Sequence, residues 1–196
     1  MASPISQSAH RTALLEANRA VIARIRKTTS DVDADEMTRR PADGGWSIAE
    51  VLEHLIVSAD SYLTRIRALI EARGGPPVDA KATWKPTLGG GLLVWSLRSP
   101  RKVRAPGGYK PGPHSRPRVL DQFLQRQEEV GRCLAEAGDM DWRRVRMRSP
   151  VAPLLRMNLG DALTVLVVHA ERHAGQIERV KAAVRSETRS SLVSRT

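Results

Sequence analysis

The sequence predicts an all-α protein built as a four-helix bundle, and three observations support this. Apolar residues recur at spacings of three and four in four long segments. The strict alternation of a half-buried strand is scarce. Glycine and proline are concentrated between the four segments, where they end helices. Amphipathic helices bury their apolar sides against one another, and 196 residues suffice for one such domain with a substantial core.

The first two helices are predicted over residues 8–28 and 47–72. The first carries apolar residues on one side at helical spacing. The second begins at a capping box, in which Ser47 and Glu50 each accept a hydrogen bond from the backbone N–H of the other. A Gly-Gly-Pro-Pro run ends this helix, since these residues do not continue one.

A Gly- and Pro-rich basic insertion, residues 74–117, is predicted to connect the second helix to the third. It is irregular except for one short helix near residues 92–97. From Lys81 to Leu120 there are nine Lys or Arg residues and no Asp or Glu. Most of the formal charge of +11 therefore lies in this part of the chain.

A basic segment of this kind can attract anions, including nucleic acid, phosphate or an acidic small molecule. However, Arg outnumbers Lys by 26 to 6 across the whole chain, a bias that genome base composition can also produce. No nucleic-acid-binding motif accompanies the charge, so nucleic acid is not the expected partner. A nucleic-acid contact by the basic segment stays as a third hypothesis.

The last two helices are predicted over residues 117–137 and 158–184, with a basic turn region between them. Asn158 is a good N-cap for the last helix, and Asp161 places a negative charge in its first turn. The domain is expected to cover residues 1–185. The polar tail, residues 186–196, is expected to be disordered.

The chain shows no sign of export or of a membrane span. Cys133 is the only cysteine, which excludes an intrachain disulfide. The first residues lack the basic and apolar regions of a signal peptide, and no apolar run reaches the ~20 residues of a spanning helix. We therefore expect a cytoplasmic protein with no membrane partner.

His169 and His173 are the most informative residues of the last helix. Residues four apart lie ~40° apart around a helix axis and ~6 Å along it, so the two rings stack on one side. That side also carries Leu166 and Ile177 and faces the core. Buried imidazoles must pair their ring nitrogens, either with neighbouring helices or with a shared cation. Spacing alone leaves both interpretations open.

His54 lies in the second helix, at the edge of its apolar side, where it can line a cleft between helices. If both helices form, three imidazoles can meet at one point, which is the ligand set of a metal ion with an open position. Glu50 and Gln176 lie about one helical turn from His54 and His173, and each is a weak candidate for a catalytic role. Arg65 is a weak candidate for binding an anionic substrate. The other histidines, His10 and His114, are assigned to the surface and to the basic connection.

Both histidine runs resemble signatures of the DinB-like superfamily. Residues 46–55 resemble its second-helix motif, and residues 169–177 resemble its last-helix motif, usually His-x-x-Arg-His-x-x-Gln-Ile. Residues 101–106 and 158–163 also fit the family. The resemblance implies an up-down-down-up four-helix bundle with a divalent metal bound by His54, His169 and His173. Members include thiol-dependent S-transferases and the mycothiol-dependent maleylpyruvate isomerase, and they often form homodimers.

These observations favour a metal-dependent enzyme that acts on a small molecule, as an S-transferase, an isomerase or a hydrolase. Zinc is the expected metal, although three imidazoles also suit nickel, iron and copper. A low-molecular-weight thiol is the candidate cosubstrate. The alternative is a non-catalytic metal-binding or stress-response bundle, in which a fourth ligand, Glu50 above all, would close the site.

Overall fold

The computed structural model describes residues 5–72, 77–79, 81–99, 107–112 and 118–193, with side chains of the last helix as far as residue 190. The described part is mostly helical, which confirms the predicted all-α class. Its α-helices are α1 (Gln7–Thr29), α2 (Ala34–Thr38), α3 (Ile48–Glu71), α4 (Leu88–Arg98), α5 (Val119–Glu136) and α6 (Leu159–Val193). Four short strands are β1 (Ile5–Ser6), β2 (Thr83–Trp84), β3 (Arg146–Arg148) and β4 (Arg156–Asn158).

The four long helices, α1, α3, α5 and α6, pack around two adjoining apolar clusters. Helix α1 contacts α5 and α6, and α3 contacts the same two helices. Side-chain contacts between α1 and α6 join residues that are 154 positions apart at both ends, from His10 to Thr164 and from Arg24 to Glu178. The constant separation means that these two helices run in the same direction.

Helix α3 begins where the sequence predicts. Ser47 Oγ accepts a hydrogen bond from the Glu50 backbone N–H at 3.2 Å, and Glu50 Oε2 accepts one from the Ser47 N–H at 2.8 Å. The guanidinium of Arg40 also binds the Glu50 carboxylate. The cap therefore starts the helix at a fixed residue, which fixes the direction in which the later side chains of α3 point.

The connection between α3 and α5 holds more regular structure than the sequence predicts. The short helix begins at Leu88, four residues earlier than expected, because Thr87 Oγ1 caps it by accepting the Gly90 N–H at 2.9 Å. Strand β2 pairs with β1 near the start of the chain. Residues 73–76, 80, 100–106 and 113–117 lie outside the described residues, and with them much of the predicted basic insertion, including His114.

Asp161 joins α4 to the beginning of α6. Its fully buried carboxylate accepts hydrogen bonds from the Thr87 hydroxyl at 2.7 Å and from the backbone N–H of Asn158 at 3.0 Å. Asn158 in turn caps α6 by accepting the Asp161 N–H at 2.8 Å, as the sequence predicts. Gly90 lies directly against this carboxylate, and a Cβ there would overlap it.

Gly90→Ala is therefore expected to destabilise the protein by roughly 1–3 kcal/mol, the usual effect of overpacking. Gly91→Ala is the matched control, because the nearest atom to its new Cβ is Pro86 Cβ at 3.7 Å. Alanine is favoured over glycine inside a helix by about 1 kcal/mol, so the control is expected to be neutral or stabilising. Urea unfolding measures both effects, and equal stabilities for the two variants would contradict the close packing of α4 on Asp161.

Two boundaries of the sequence analysis need correction at the end of the chain. The last helix is predicted to end at Val184 and to be followed by a disordered tail, but α6 continues to Val193. The added turns contact the segment between α1 and α3. Glu187 accepts the Ala42 N–H, and Arg185 forms ion pairs with Asp31 and Glu36.

The basic turn region before α6 contains a β-hairpin that the sequence analysis did not predict. Strands β3 and β4 pair with Met147 opposite Met157, and Met157 is fully buried. Two strands of three residues are too short to give a clear alternation pattern. Within the described residues, no helix is both long enough and apolar enough to cross a membrane.

Candidate metal centre

The structure brings the three predicted histidines together. His169 Nε2 lies 3.1 Å from His54 Nε2 and 3.1 Å from His173 Nε2. One ligand atom from each residue lies within 4.8 Å of the others. The three rings are packed edge to face, with centroids 4.6 to 4.9 Å apart. Two helices that are far apart in the sequence, α3 and α6, thus deliver three imidazole nitrogens to one point.

Helix geometry accounts for this convergence. His169 and His173 stack on one side of α6 because they are four residues apart. His54 lies near the start of α3, whose position the capping box fixes. Periodicity places His54 at the edge of the apolar side, but it is only 5 % exposed. The early turns of α3 are buried almost all round, which explains the difference.

Outer hydrogen bonds set the orientation of two of the rings. His54 Nδ1 lies 2.6 Å from the backbone oxygen of Tyr109, and His173 Nδ1 lies 2.7 Å from Gln176 Oε1. Both oxygens only accept, so both Nδ1 atoms must carry the proton and donate it. The Nε2 atoms of these neutral rings are then unprotonated, and their lone pairs point toward the shared centre.

The surroundings keep the imidazoles neutral. Burial lowers the pKa of His173 to about 3, with the neighbouring His54 contributing in the same direction. Burial and the two neighbouring rings hold the pKa of His169 well below its ordinary value. Burial also lowers the pKa of His54, although its bond to the Tyr109 oxygen opposes this effect. Neutral imidazole is the form that binds a metal.

The donor set fits a divalent cation. The Nε2 atoms of His54 and His173 both face His169 Nε2, and a single proton on that atom can satisfy only one of them, whereas a cation at the centre can accept a lone pair from all three. A cation bound to Nε2 atoms, with the Nδ1 protons bound to outer oxygens, is the usual pattern of a metal-ligating histidine. Three imidazoles also leave a coordination position open on zinc.

The structure places the three weaker site candidates, Glu50, Arg65 and Gln176, in different surroundings. The Glu50 carboxylate is held by Ser47 and Arg40, as its predicted capping role requires. Arg65 lies eleven residues beyond His54 on α3, about 16 Å along the axis. Its guanidinium donates to the Arg148 backbone oxygen at 3.0 Å. The structure therefore does not bring Arg65 to the histidines, and only Gln176 contacts one of them.

Two neighbours of the site were not identified from the sequence. Tyr109 acts through its backbone oxygen, which every residue possesses, so no sequence signal could have found it. The ring of Trp46 packs on His54 with centroids 5.1 Å apart. Nothing in the local sequence links Trp46 to His54, which is eight residues further along the chain.

Gln176→Leu is expected to weaken zinc binding about 10- to 100-fold, the usual effect of removing an outer partner of a ligating histidine. Leucine fills a similar volume but leaves the His173 Nδ1 proton without its acceptor. Gln176→Glu retains an acceptor oxygen and is expected to bind zinc at least as tightly as the wild type. Competition with a chelating dye measures these affinities. Equal weakening by both substitutions would show that Gln176 does not act as a hydrogen-bond acceptor.

One further histidine departs from its predicted surface position. His10 stacks on Trp84 with centroids 4.0 Å apart, and its Nε2 lies 2.9 Å from Thr164 Oγ1. Burial, with a smaller contribution from Arg98, lowers its pKa to about 4. His10 is thus a fourth neutral histidine in the same bundle, and its partners do not include the metal-site histidines.

Comparison with known proteins agrees with the geometry of the site. The family model of the DinB superfamily matches residues 17–177, a range that contains all three clustered histidines. No curated protein matches the chain. No solved structure matches it either. Because the family model covers most of the sequence, the chain belongs to the DinB superfamily.

Proposed function

We propose that the protein is a metal-dependent enzyme in which His54, His169 and His173 bind one divalent cation. The single observation that carries this proposal is the meeting of the three imidazoles, in which His169 Nε2 lies 3.1 Å from the Nε2 atom of each of the other two. Two of the rings have their Nδ1 protons bound to outer oxygens, which leaves Nε2 as the ligand atom. Zinc is the metal we expect, because it accepts three histidines and one exchangeable ligand.

We further propose that the fourth position is open to a small molecule. A structural site would need a fourth protein ligand. Glu50, the sequence candidate for that role, already binds Arg40 and the Ser47 N–H. Within the described residues, the cluster of potential ligands contains three histidines and no carboxylate. These facts favour a catalytic site over a closed structural one.

The residues of the chain itself would prepare this site for chemistry. Burial keeps the imidazoles neutral, and Gln176 and the Tyr109 oxygen hold two of them in one orientation. The Trp46 ring covers one side of His54 and limits the access of water there. A divalent cation in this position supplies the Lewis acidity with which a thiol or water loses its proton at neutral pH. We propose a low-molecular-weight thiol as cosubstrate and an S-transfer, isomerisation or hydrolysis as the reaction.

The proposal also includes the order of the helices, the number of domains, the cellular location and the oligomeric state. The structure supports the first of these. An up-down-down-up order of the four long helices is supported by the constant residue separation between α1 and α6 and by the neighbours of each helix. We also propose one bundle domain, a cytoplasmic location and a homodimer, which rest on the sequence and the family alone.

The test has a binding step and a reaction step. Purified protein is loaded separately with zinc, nickel, iron(II) and copper, and its metal content is measured. Each form is then incubated with a small thiol and an electrophilic acceptor, and thiol loss and adduct mass are followed, with ester hydrolysis measured in parallel. We expect a loaded form to accelerate one of these reactions and the metal-free form not to do so. Stoichiometric metal without any acceleration would favour the non-catalytic bundle.

A further inference from the structure

Helix α4 presents apolar side chains to solvent. Leu88, Leu92 and Trp95 are 96 %, 61 % and 64 % exposed. Their spacing of four and three places them on one side of the helix. The opposite side, with Leu93, Val94 and Leu97, packs against the core. A helix that is apolar on both sides is normally covered on both, so its outward side has the character of an interaction surface.

The β3–β4 hairpin extends this surface. It lies against the start of α4, where a Cβ on Gly89 would be 3.0 Å from the Arg156 backbone oxygen. Leu154, in the turn of the hairpin, is 95 % exposed. Five large apolar side chains are exposed among the described residues, and four of them lie on these two neighbouring elements. We call this surface the α4–hairpin face and define it by Leu88, Leu92, Trp95, Leu154 and the exposed arginines of the two strands.

Those arginines give the face a positive charge. Arg146, Arg148 and Arg156 are exposed on the two strands, and Arg148 is the direct cross-strand partner of Arg156. Like charges opposite each other destabilise a hairpin. Among the described residues, no carboxylate forms an ion pair with any of the three. Residues 142–160 contain five Arg and no Asp or Glu. The flanking Asp141 pairs with Arg143 and Arg144, and the flanking Asp161 attracts Arg146. Within the described residues, Arg148 and Arg156 are therefore the two arginines of the hairpin without a neighbouring counter-charge.

We propose that the α4–hairpin face binds the surface of an anionic lipid bilayer. Leucine and tryptophan side chains would enter the boundary between headgroups and acyl chains, where tryptophan is favoured. The arginines would contact lipid phosphates, as basic residues beside an inserted apolar group do. No membrane partner is expected from the sequence because no apolar run is long enough to span a bilayer, but binding to the bilayer surface needs no spanning segment. This inference is independent of the metal centre.

The positive charge and the exposed apolar side chains of the α4–hairpin face together favour an anionic bilayer over the other possible partners. A second copy of the chain could cover the apolar side chains, but the α4–hairpin face as defined carries arginines and no carboxylate with which the arginines of the second copy could pair. Nucleic acid would satisfy the arginines, but phosphate contacts make no use of four exposed apolar side chains. An anionic bilayer accepts both features at once.

Vesicle flotation tests the proposal with the full chain. We expect the protein to float with vesicles of phosphatidylglycerol and phosphatidylcholine, and not with phosphatidylcholine alone. Leu92→Ser is expected to lower the partition coefficient at least about tenfold by removing one inserted side chain. Arg156→Glu is expected to lower it by a similar factor or more, since each basic residue near an anionic surface contributes about 1 kcal/mol, or about fivefold, and the change is of two charges.

Two controls separate binding from folding and from bulk charge. Arg19→Glu makes the same charge change at an exposed residue of α1 and is expected to retain binding much better than Arg156→Glu. Arg156→Glu also places a carboxylate opposite Arg148, so the hairpin is expected to be at least as stable as in the wild type. Thermal melts of each variant check this.

A lipid brominated in its acyl chain provides a direct readout of insertion. We expect it to quench the fluorescence of the wild type, and Trp95→Phe to float while losing most of that quenching. Absence of flotation at low salt would overturn the proposal, as would flotation without quenching of Trp95. Binding of duplex or single-stranded DNA, or dimerisation, that is lost in Leu92→Ser and Arg156→Glu without vesicle binding would assign the face to that partner instead.

Discussion

His169→Ala is expected to abolish stoichiometric metal binding. The Nε2 atom of His169 lies 3.1 Å from the corresponding atom of each other histidine, so its ring joins the two halves of the cluster. Its loss leaves two imidazoles, one on each helix, and a gap where the third ligand was. We expect an affinity loss greater than the roughly 10- to 100-fold that removal of an outer partner causes. Metal analysis after loading and desalting measures the result.

His10→Gln is the matched control for this experiment. It also removes a neutral imidazole, here a half-buried one whose partners are Trp84 and Thr164. We expect it to lower stability while leaving the metal content unchanged. If both variants lose metal to the same extent, general destabilisation and not ligand loss is the cause. If His169→Ala retains a full complement, the three-histidine centre is wrong.

Much of the fold follows from local signals. The Ser47 and Glu50 side chains bond to the backbone as the capping box predicts, and the start of α3 is correct. Asn158 and Asp161 likewise mark the start of α6. In each case the signal and its structural consequence lie within four residues of each other. Interactions of this range are encoded directly in the sequence.

The errors arise where distant residues decide the outcome. The last turns of α6 are held by Asp31, Glu36 and Ala42, some 150 residues earlier, so the polar composition of the tail was misleading. The three glycines of α4 suggest an irregular segment, but Gly90 is required by the close approach of Asp161. His10 is half-buried, not on the surface, because Trp84 packs on it. None of these contacts has a signature in the local sequence.

At the metal site, too, local spacing predicts one part of the arrangement and contacts between distant residues decide the other. The spacing of His169 and His173 is local and predicts their stacking on one side of α6. The arrival of His54 depends on how α3 packs against α6, which periodicity does not determine. The family motifs supplied that link at the sequence level, and the structure confirms that the three rings meet. Neither the helical spacing nor the family motifs predict the hydrogen bond between His54 and the Tyr109 backbone oxygen. Every residue has a backbone oxygen, so no residue type marks this contact in the sequence.

Removal of bound metal is expected to lower stability by several kcal/mol. At a free zinc concentration about 1,000 times the dissociation constant, binding only to the folded state adds about 4 kcal/mol. For a chain of this size that corresponds to a rise in Tm of about 8–16 °C. Scanning calorimetry with and without zinc measures the shift. His169→Ala is expected to show almost none of it, whereas Gln176→Glu is expected to retain it.

The metal-free protein should also lose stability as the pH falls from 7 to 5. Burial holds the pKa values of all three clustered histidines below the ordinary value of 6.5, with His173 at about 3. The unfolded chain therefore takes up protons first, near pH 6.5, while the folded protein does not. The stability they provide is complete above that pH and is lost as the pH drops toward the folded pKa values.

The slope of that loss tests whether the rings are neutral in the folded protein. Each such histidine contributes up to about 1.4 kcal/mol per pH unit, and comparison with a variant that lacks one of them cancels the contribution of the carboxylates. His173→Ala removes one titrating group, so the difference in free energy of unfolding between wild type and variant should shrink as the pH falls. Zinc should raise the wild-type curve, because the cation occupies the nitrogens that protons would otherwise take. A difference that stays constant from pH 7 to 5 would mean that His173 is solvated or already charged, and such a ring would bind a metal only weakly.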